Sequence, residues 1–423
     1  IYIDNNTETG AARDAVFRFL GVPIFALPYF EFPVGKERRS GVLPPSMGIS
    51  TGTGIDISMP YYLNLAHNYD AIVNTRIMAK RGLQLSANGR YLNAFGTGDA
   101  TVAWLPNDPA FGGRRWSSLA QHSYKEGNLS AGWHFERVSD ARYLTDLSKN
   151  INAVTQTNLP TDLWARYQAP WATLDARAVQ YQTLQDATHS VTPTYGRLPT
   201  LSLNAKPISL ANWGGAAGAE PTGQLAFNFD ANTTVFTHPT SVQGSRSTAI
   251  PSIGSTSQAE WGYFKFKSAL HATQYSHLHS SAYTGISQAS RLLPITTLDG
   301  GLNFERSSSW LGQAALQTLE PRLFYLHVPF KDQAALPNFD TALSDFGFSQ
   351  IFSDNVFTGS DRVADANHLT AALTSRWLSS NTSAELFKFT VGKRYYATPQ
   401  RVQLAGPSVA GAASSSDWLL AAA

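Results

Sequence analysis

From Ile55 the odd positions read Ile55, Ile57, Met59, Tyr61, Leu63 and Leu65, while Asp56, Ser58 and Asn64 sit between them. An apolar side chain at every second residue is the signature of a strand with one greasy face. The run before it, VPIFALPYFEFPVG, is apolar and punctuated by proline, and it is followed by Lys36, Arg38 and Arg39. Residues 22–65 therefore read as a junction where a soluble β-domain stops and a membrane sheet starts.

The rest of the chain supports that choice. Charged residues make up 15% and aromatic residues 12%, which favours an apolar outer surface with aromatic girdles over an ordinary soluble exterior. Mean hydropathy is nevertheless −0.19, and no run of 18 apolar residues occurs. Spanning helices are thereby excluded, and only a closed β-barrel is left to cross a membrane. A net charge of +2 with no basic stripe gives no case for nucleic acid.

Strands are expected at 40–50, 54–65, 69–80, 83–93, 97–105, 114–125, 129–138, 154–169, 173–186, 197–210, 223–237, 245–256, 259–275, 289–307, 319–329, 367–379 and 384–397. These about seventeen segments have the length of tilted membrane strands. The segment SRSTAIPSIGST at 245–256 is poor strand material and is kept for parity. With it included, the long links 138–154, 186–197, 275–289 and 330–366 fall on the extracellular side. Links 65–69, 125–129, 169–173 and 379–384 become short periplasmic turns, as barrels of this kind prefer. Links 210–223 and 307–319 are longer than that rule favours. Phe264 and Phe266 alternate with Lys265 and Lys267, and Phe387 and Phe389 flank Lys388; the aromatic sets are expected to face lipid. No repeat of fixed 40–50-residue period argues for a propeller.

Two separated motif sets carry a family resemblance. The first is PIFALPYFEFPVG, then RRSG with a proline four residues on, then PYYLN; the second is LEPRLFYLHVPFKDQ at 319–333, FSDNVFTGSDRVADAN in a long loop, then LTAALTSRW. In this order they resemble the LptD (OstA or Imp) family of lipopolysaccharide-assembly proteins, firmly at 13–93 and 319–397 and weakly between. The resemblance implies an all-β chain in three parts. Residues 1–39 would be the end of a periplasmic β-jellyroll, 40–397 an antiparallel transmembrane β-barrel, partial, with the long loop 330–366, and 398–423 a tail without strand pattern. The family carries its cysteines near the start of the periplasmic domain and near the end of the barrel, and this chain has none. It is accordingly expected to be an internal fragment, lacking most of the jellyroll and about nine strands of a barrel of ~26.

Candidate chemistry is sparse. His277 and His279 share a strand face near His271, but no third metal ligand is placed by spacing. Asp340, Asp345, Asp354, Asp361 and Asp365 lack the spacing of an EF-hand or nonapeptide calcium site, so a solvated or lumen-lining loop is the better reading. There is no G-x-S-x-G and no defensible Ser/His/Asp set. No cofactor and no catalysis are expected.

Pro45 and Pro60 stand apart, because proline donates no ladder hydrogen bond and belongs at sheet edges, strand starts or bulges. Taken alone, Pro44-Pro45 is a linker and Pro60 a kink. The resemblance matches Pro45 and Pro60, at a separation of 15, to the two prolines that weaken the seam between the first and last barrel strands. It further implies that lipopolysaccharide arrives over a periplasmic LptA-type bridge and leaves sideways into the outer-membrane lipid through that seam. Its sugar chain would use a polar lumen plugged by the LptE lipoprotein. Asp340, Asp345, Phe352, Asp354, Asp361, Arg362 and Asn367 are the expected lumen or extracellular-loop residues. A porin or substrate-specific channel is the alternative, and it would lack both the jellyroll entrance and the seam prolines.

Overall fold

The computed structural model describes residues 2–4, 9–19, 22–33, 38–185, 190–215, 221–280, 287–404 and 414–423. The described chain is almost wholly antiparallel β-structure. A three-stranded sheet comes first: β1 (Tyr2–Asp4), β2 (Thr9–Phe19) and β3 (Val22–Pro33) pair in sequence order. A long meander follows: β4 (Gly41–Val42), β5 (Ser46–Ser50), β6 (Gly54–Ala66), β7 (Tyr69–Met78), β8 (Gly82–Asn93), β9 (Gly96–Asp108), β10 (Gly113–Glu126) and β11 (Leu129–Val138). Two short helices, α1 (Tyr143–Leu147) and α2 (Ile151–Val154), interrupt it before β12 (Asn158–Gln168), β13 (Ala172–Thr183), β14 (Gly196–Ala205) and β15 (Ile208–Trp213). The chain continues through β16 (Gly223–Thr237), β17 (Gln243–Ala259), β18 (Gly262–His279), β19 (Ala289–Leu302), β20 (Phe304–Trp310), β21 (Gln313–Val328), β22 (Ala366–Ser379), β23 (Glu385–Tyr396) and β24 (Leu419–Ala422). This is the all-β fold of a membrane β-barrel. The chain divides into two compact units, Ile1–Tyr167 with Arg177–Gly196, and Gln168–Ala176 with Arg197–Ala423.

Within each unit the strands present one polar and one apolar face, because residues paired across the ladder share a face. In the first unit Asp56 pairs with Met78 and Arg76 with Gln84, and all four are buried. The intervening row is greasy and open: Ile55, Ile77, Leu85 and Trp104 are exposed. In the second unit Phe264 and Phe389 are likewise exposed on the apolar face. Lys267, on the opposite face of its strand from Phe264, reaches Asp354 of the long loop at 2.9 Å.

Several boundaries depart from expectation for identifiable reasons. The strand expected at 40–50 is two pieces, broken at 43–45 by Pro44 and Pro45, neither of which can donate to a ladder. The link expected at 307–319 is a hairpin instead, with β20 paired to β21 from Phe304↔Leu319 to Trp310↔Gln313. Its Ser- and Ala-rich strands have weak intrinsic preference, and cross-strand pairing overrides it. Leu311 and Gly312 make the turn at φ 49° and 84°. β17 is longer than its composition suggests, since β16 and β18 pair along nearly all of it. The last residues, expected to carry no strand, hold β24, which pairs with Phe389–Gly392 of β23.

A charge on the apolar face tests the membrane reading. Leu163, at the middle of β12, is 60% exposed, while its neighbour Asp162 pairs with Arg177 at 2.7 Å. Leu163→Arg is expected to cost about 2–4 kcal/mol when the protein is unfolded by urea from lipid vesicles. An unchanged midpoint would place that face away from hydrocarbon.

Candidate functional site

In the second unit the segment between β21 and β22 lies against the polar strand face, held by arginines that strand alternation places there. Asp361 is fully buried. Its Oδ1 accepts from Arg246 Nη1 at 2.7 Å and from the Tyr275 hydroxyl at 3.0 Å. Its Oδ2 accepts from the backbone N–H groups of Phe339 at 2.7 Å and Asp340 at 2.9 Å. Asp340 receives both Nη1 and Nη2 of Arg246 at 2.7 Å. Burial works against the Asp340 charge, but the Arg246 fork overcomes it and holds the carboxyl below the ordinary 3.8. Beside this pair, Phe339 stacks on Phe236 with ring centres 4.3 Å apart.

Three further arginines are spent on main-chain carbonyls. Arg291 of β19 donates to the carbonyls of Ser360 at 2.8 Å and Asp361 at 2.7 Å. Arg394 of β23 donates to that of Ile351 at 2.6 Å. Arg362, within the loop, donates to those of Pro337 at 2.9 Å and Leu336 at 2.8 Å. A buried guanidinium needs its donors satisfied, and an ordered loop supplies carbonyls in fixed positions. The long loop is therefore built into this face and is not a passive connection.

The other expected residues fall into place unequally. Phe352 lies under the Arg322 guanidinium at 3.7 Å from ring centre to Cζ. Asp354 makes an exposed pair with Lys267, and Asp345 is exposed. Asn367 is the second residue of β22 and shares a face with Leu369, accepting from the Tyr325 hydroxyl at 3.0 Å. Asp365 takes the backbone N–H groups of Arg401 and Val402 at 2.9 and 2.8 Å, tying down part of the tail. The acids weighed for calcium thus mostly answer to arginine, lysine or backbone donors. Among the described residues no group of three or more His, Cys, Asp or Glu side chains is placed to hold a metal.

The two prolines come together. Val42 pairs with Tyr61 and Ser46 with Ser58, so three residues, 43–45, face two, Met59 and Pro60. The ladder keeps one bond there, from Leu43 N–H to the Pro60 carbonyl at 2.9 Å.

Sequence reasoning missed a second inward loop. Between β11 and β12, Tyr143, Leu144 and Leu147 bury against Met78, Leu105, Leu159 and Leu184. Below them Arg115, with no exposed side-chain surface, meets Asp108 at 3.1 Å, Asp140 at 2.8 Å and Asp146 at 2.9 Å. Arg76 grips Asp56 at 2.6 Å and donates to the Leu147 carbonyl at 2.8 Å. The device matches that of the long loop: strand arginines on the polar face hold loop carboxylates and carbonyls. The available signal was the spacing of Tyr143, Leu144 and Leu147, which is helical where the flanks alternate. Also missed was Arg38 in the junction, which donates to Asp70 at 2.6 Å beside Arg90.

Comparison with known proteins gives a consistent result. A family model described as LptD, LPS transport system D, matches residues 114–423, and another described as LptD protein matches 11–191. The LPS-assembly protein LptD of Thiobacillus denitrificans is 39% identical over 407 residues, covering 96% of this chain and 54% of that protein. That of Aromatoleum aromaticum is 40% identical over 408 residues, covering 96% and 50%. That of Cupriavidus necator is 39% identical over 427 residues, covering 100% and 51%. The chain spans about half the length of the curated relatives it matches.

Proposed function

Because this chain belongs to the LptD family, we propose that it forms barrel wall in an outer-membrane protein that moves lipopolysaccharide into the outer leaflet. The observation that carries the reading is the two-faced sheet with loops fixed by arginine on its polar side. A two-faced cargo needs such a wall: acyl chains enter a wet lumen only at cost, and a charged sugar chain does not cross hydrocarbon. In this reading the sugar passes along the polar face, narrowed by the loops at 139–157 and 329–365, with Asp340, Asp361 and Arg362 holding the second in shape. The acyl chains leave through a seam at β4–β5. Residues 1–39 belong to a periplasmic jellyroll that receives cargo from an LptA-type bridge, and an LptE-type lipoprotein occupies the lumen. The role is transport, not catalysis.

The seam is open to test. Pro44 and Pro45, which have no N–H to donate, and Pro60 on the facing strand remove ladder bonds from the first strand pair, each worth only about 0.5–1.5 kcal/mol net. Pro45→Ala together with Pro60→Ala is expected to stiffen the seam and slow export without unfolding the protein. The assay is surface lipopolysaccharide and growth in cells whose only copy is the full-length double mutant. Normal export at normal protein level would remove these prolines from the mechanism.

A further inference from the structure

The apolar face of the second unit carries a groove of about 420 Å³, walled by Phe264, Leu298, Leu302, Leu323, Tyr325 and Leu369. Two adjacent glycines of β19 lie in it, and they are small for different reasons. At Gly301 a Cβ would sit 2.6 Å from the Tyr263 ring, so packing within the chain forbids a side chain there. At Gly300 a Cβ would meet only Phe264 Cδ2 and the Tyr263 carbonyl, both at 3.7 Å, an ordinary contact. Nothing in the chain requires Gly300 to be bare, yet the space above it is left open.

What surrounds the groove identifies its occupant. The groove is continuous with the exposed apolar row formed by Phe264, Leu298, Leu323 and Leu369. Toward one end stands Trp261, 69% exposed at the β17–β18 turn, and toward the other the Tyr325–Asn367 hydrogen bond. Polar-tipped aromatics mark the limits of an apolar layer, so the span between them faces hydrocarbon. In hydrocarbon no hydrophobic force drives association; residence depends on packing contacts, which an unfilled recess forfeits. We propose that this groove holds one acyl chain of a membrane phospholipid as a resident of the barrel wall. The assignment rests on the membrane placement of the face, and not on lipopolysaccharide as cargo.

Gly300→Leu would fill the recess from within. The full chain and the variant are folded into vesicles of phosphatidylethanolamine and phosphatidylglycerol, one part of the lipid carrying a diazirine on its acyl chain. Retained lipid is counted by native mass spectrometry in mild detergent, and crosslinked peptides are mapped after illumination. The wild type is expected to retain one phospholipid that the variant retains about fivefold less often. Its crosslinks would concentrate on 298–302 and 321–325 and fade in the variant, with folding matched by gel mobility before and after heating. Equal retention and equal crosslinking in two folded proteins would overturn the proposal. So would vesicles doped with lipid A in which that lipid, and not phospholipid, is the species displaced by leucine.

Discussion

Asp361→Ala is expected to free the long loop from the strand face while leaving the sheet folded. The substitution strands two backbone N–H groups, those of Phe339 and Asp340, and removes the partner of the buried Tyr275 hydroxyl. Arg246 keeps Asp340, so its charge is not left alone. A buried donor without a partner costs about 1–3 kcal/mol, and three lose theirs here. The loop's local stability should fall by about 3–5 kcal/mol, bringing its opening within reach of a protease. Limited proteolysis with mapping of the cut sites reads this directly: cleavage within 333–362 should rise steeply, with the strands intact. Asp361→Asn, which retains one oxygen for the backbone donors, should fall between. A loop as resistant in the alanine variant as in the wild type would mean that Arg291 and Arg394 hold it without help.

The contrast between the two loops shows how far the sequence is legible. Strand positions followed from alternation because a membrane sheet must put an apolar residue outward at every second position, and Phe264 and Lys267 obey that rule locally. The hairpin at β20–β21 is hidden because its serines and alanines express no preference; only the pairing of β20 with β21, and of β21 with β22, makes it a strand. The long loop was noticed for its length and its aspartates, yet its partners were not. Arg246 lies 115 residues from Asp361 in sequence, and no local pattern reveals such a contact. Asn367 is expected to open a strand at 367, and the ladder begins one residue earlier, at Ala366. The prolines at 45 and 60 could be paired only because their spacing matched a family; the bulge that brings them together is a property of register.

Arg115→Ala is the change expected to damage the first unit most. It removes the shared partner of Asp108, Asp140 and Asp146, leaving Arg81, 2.9 Å from Asp108 and 3.4 Å from Asp146, the more exposed Arg142, 3.6 Å from Asp146, and the Ser139 hydroxyl, 2.7 Å from Asp140. Uncompensated buried carboxylates put the cost at about 4–5 kcal/mol, the upper range for a single substitution. The loop at 139–157 should detach, taking Tyr143 and Leu147 out of their cluster. Proteolysis within 139–157 and loss of near-ultraviolet circular dichroism both report it. The pH dependence carries a second signature. In the wild type, burial pushes the Asp140 carboxyl up, but hydrogen bonds from Arg115 and Ser139 overcome it and hold the group below 3.8. Its contribution to stability is then present above that value and lost as pH falls through the lowered one. Without Arg115 burial is less opposed and the folded carboxyl rises above its unfolded value, so its penalty is relieved on acidification. The thermal midpoint for loop release should therefore hold in the wild type from pH about 6 to about 4 and fall only below 3.8, whereas in Arg115→Ala it should rise as pH drops from about 6 to about 4. A variant whose midpoint runs in parallel with the wild type would show that Asp140 is not held by Arg115, and the second loop would need another anchor.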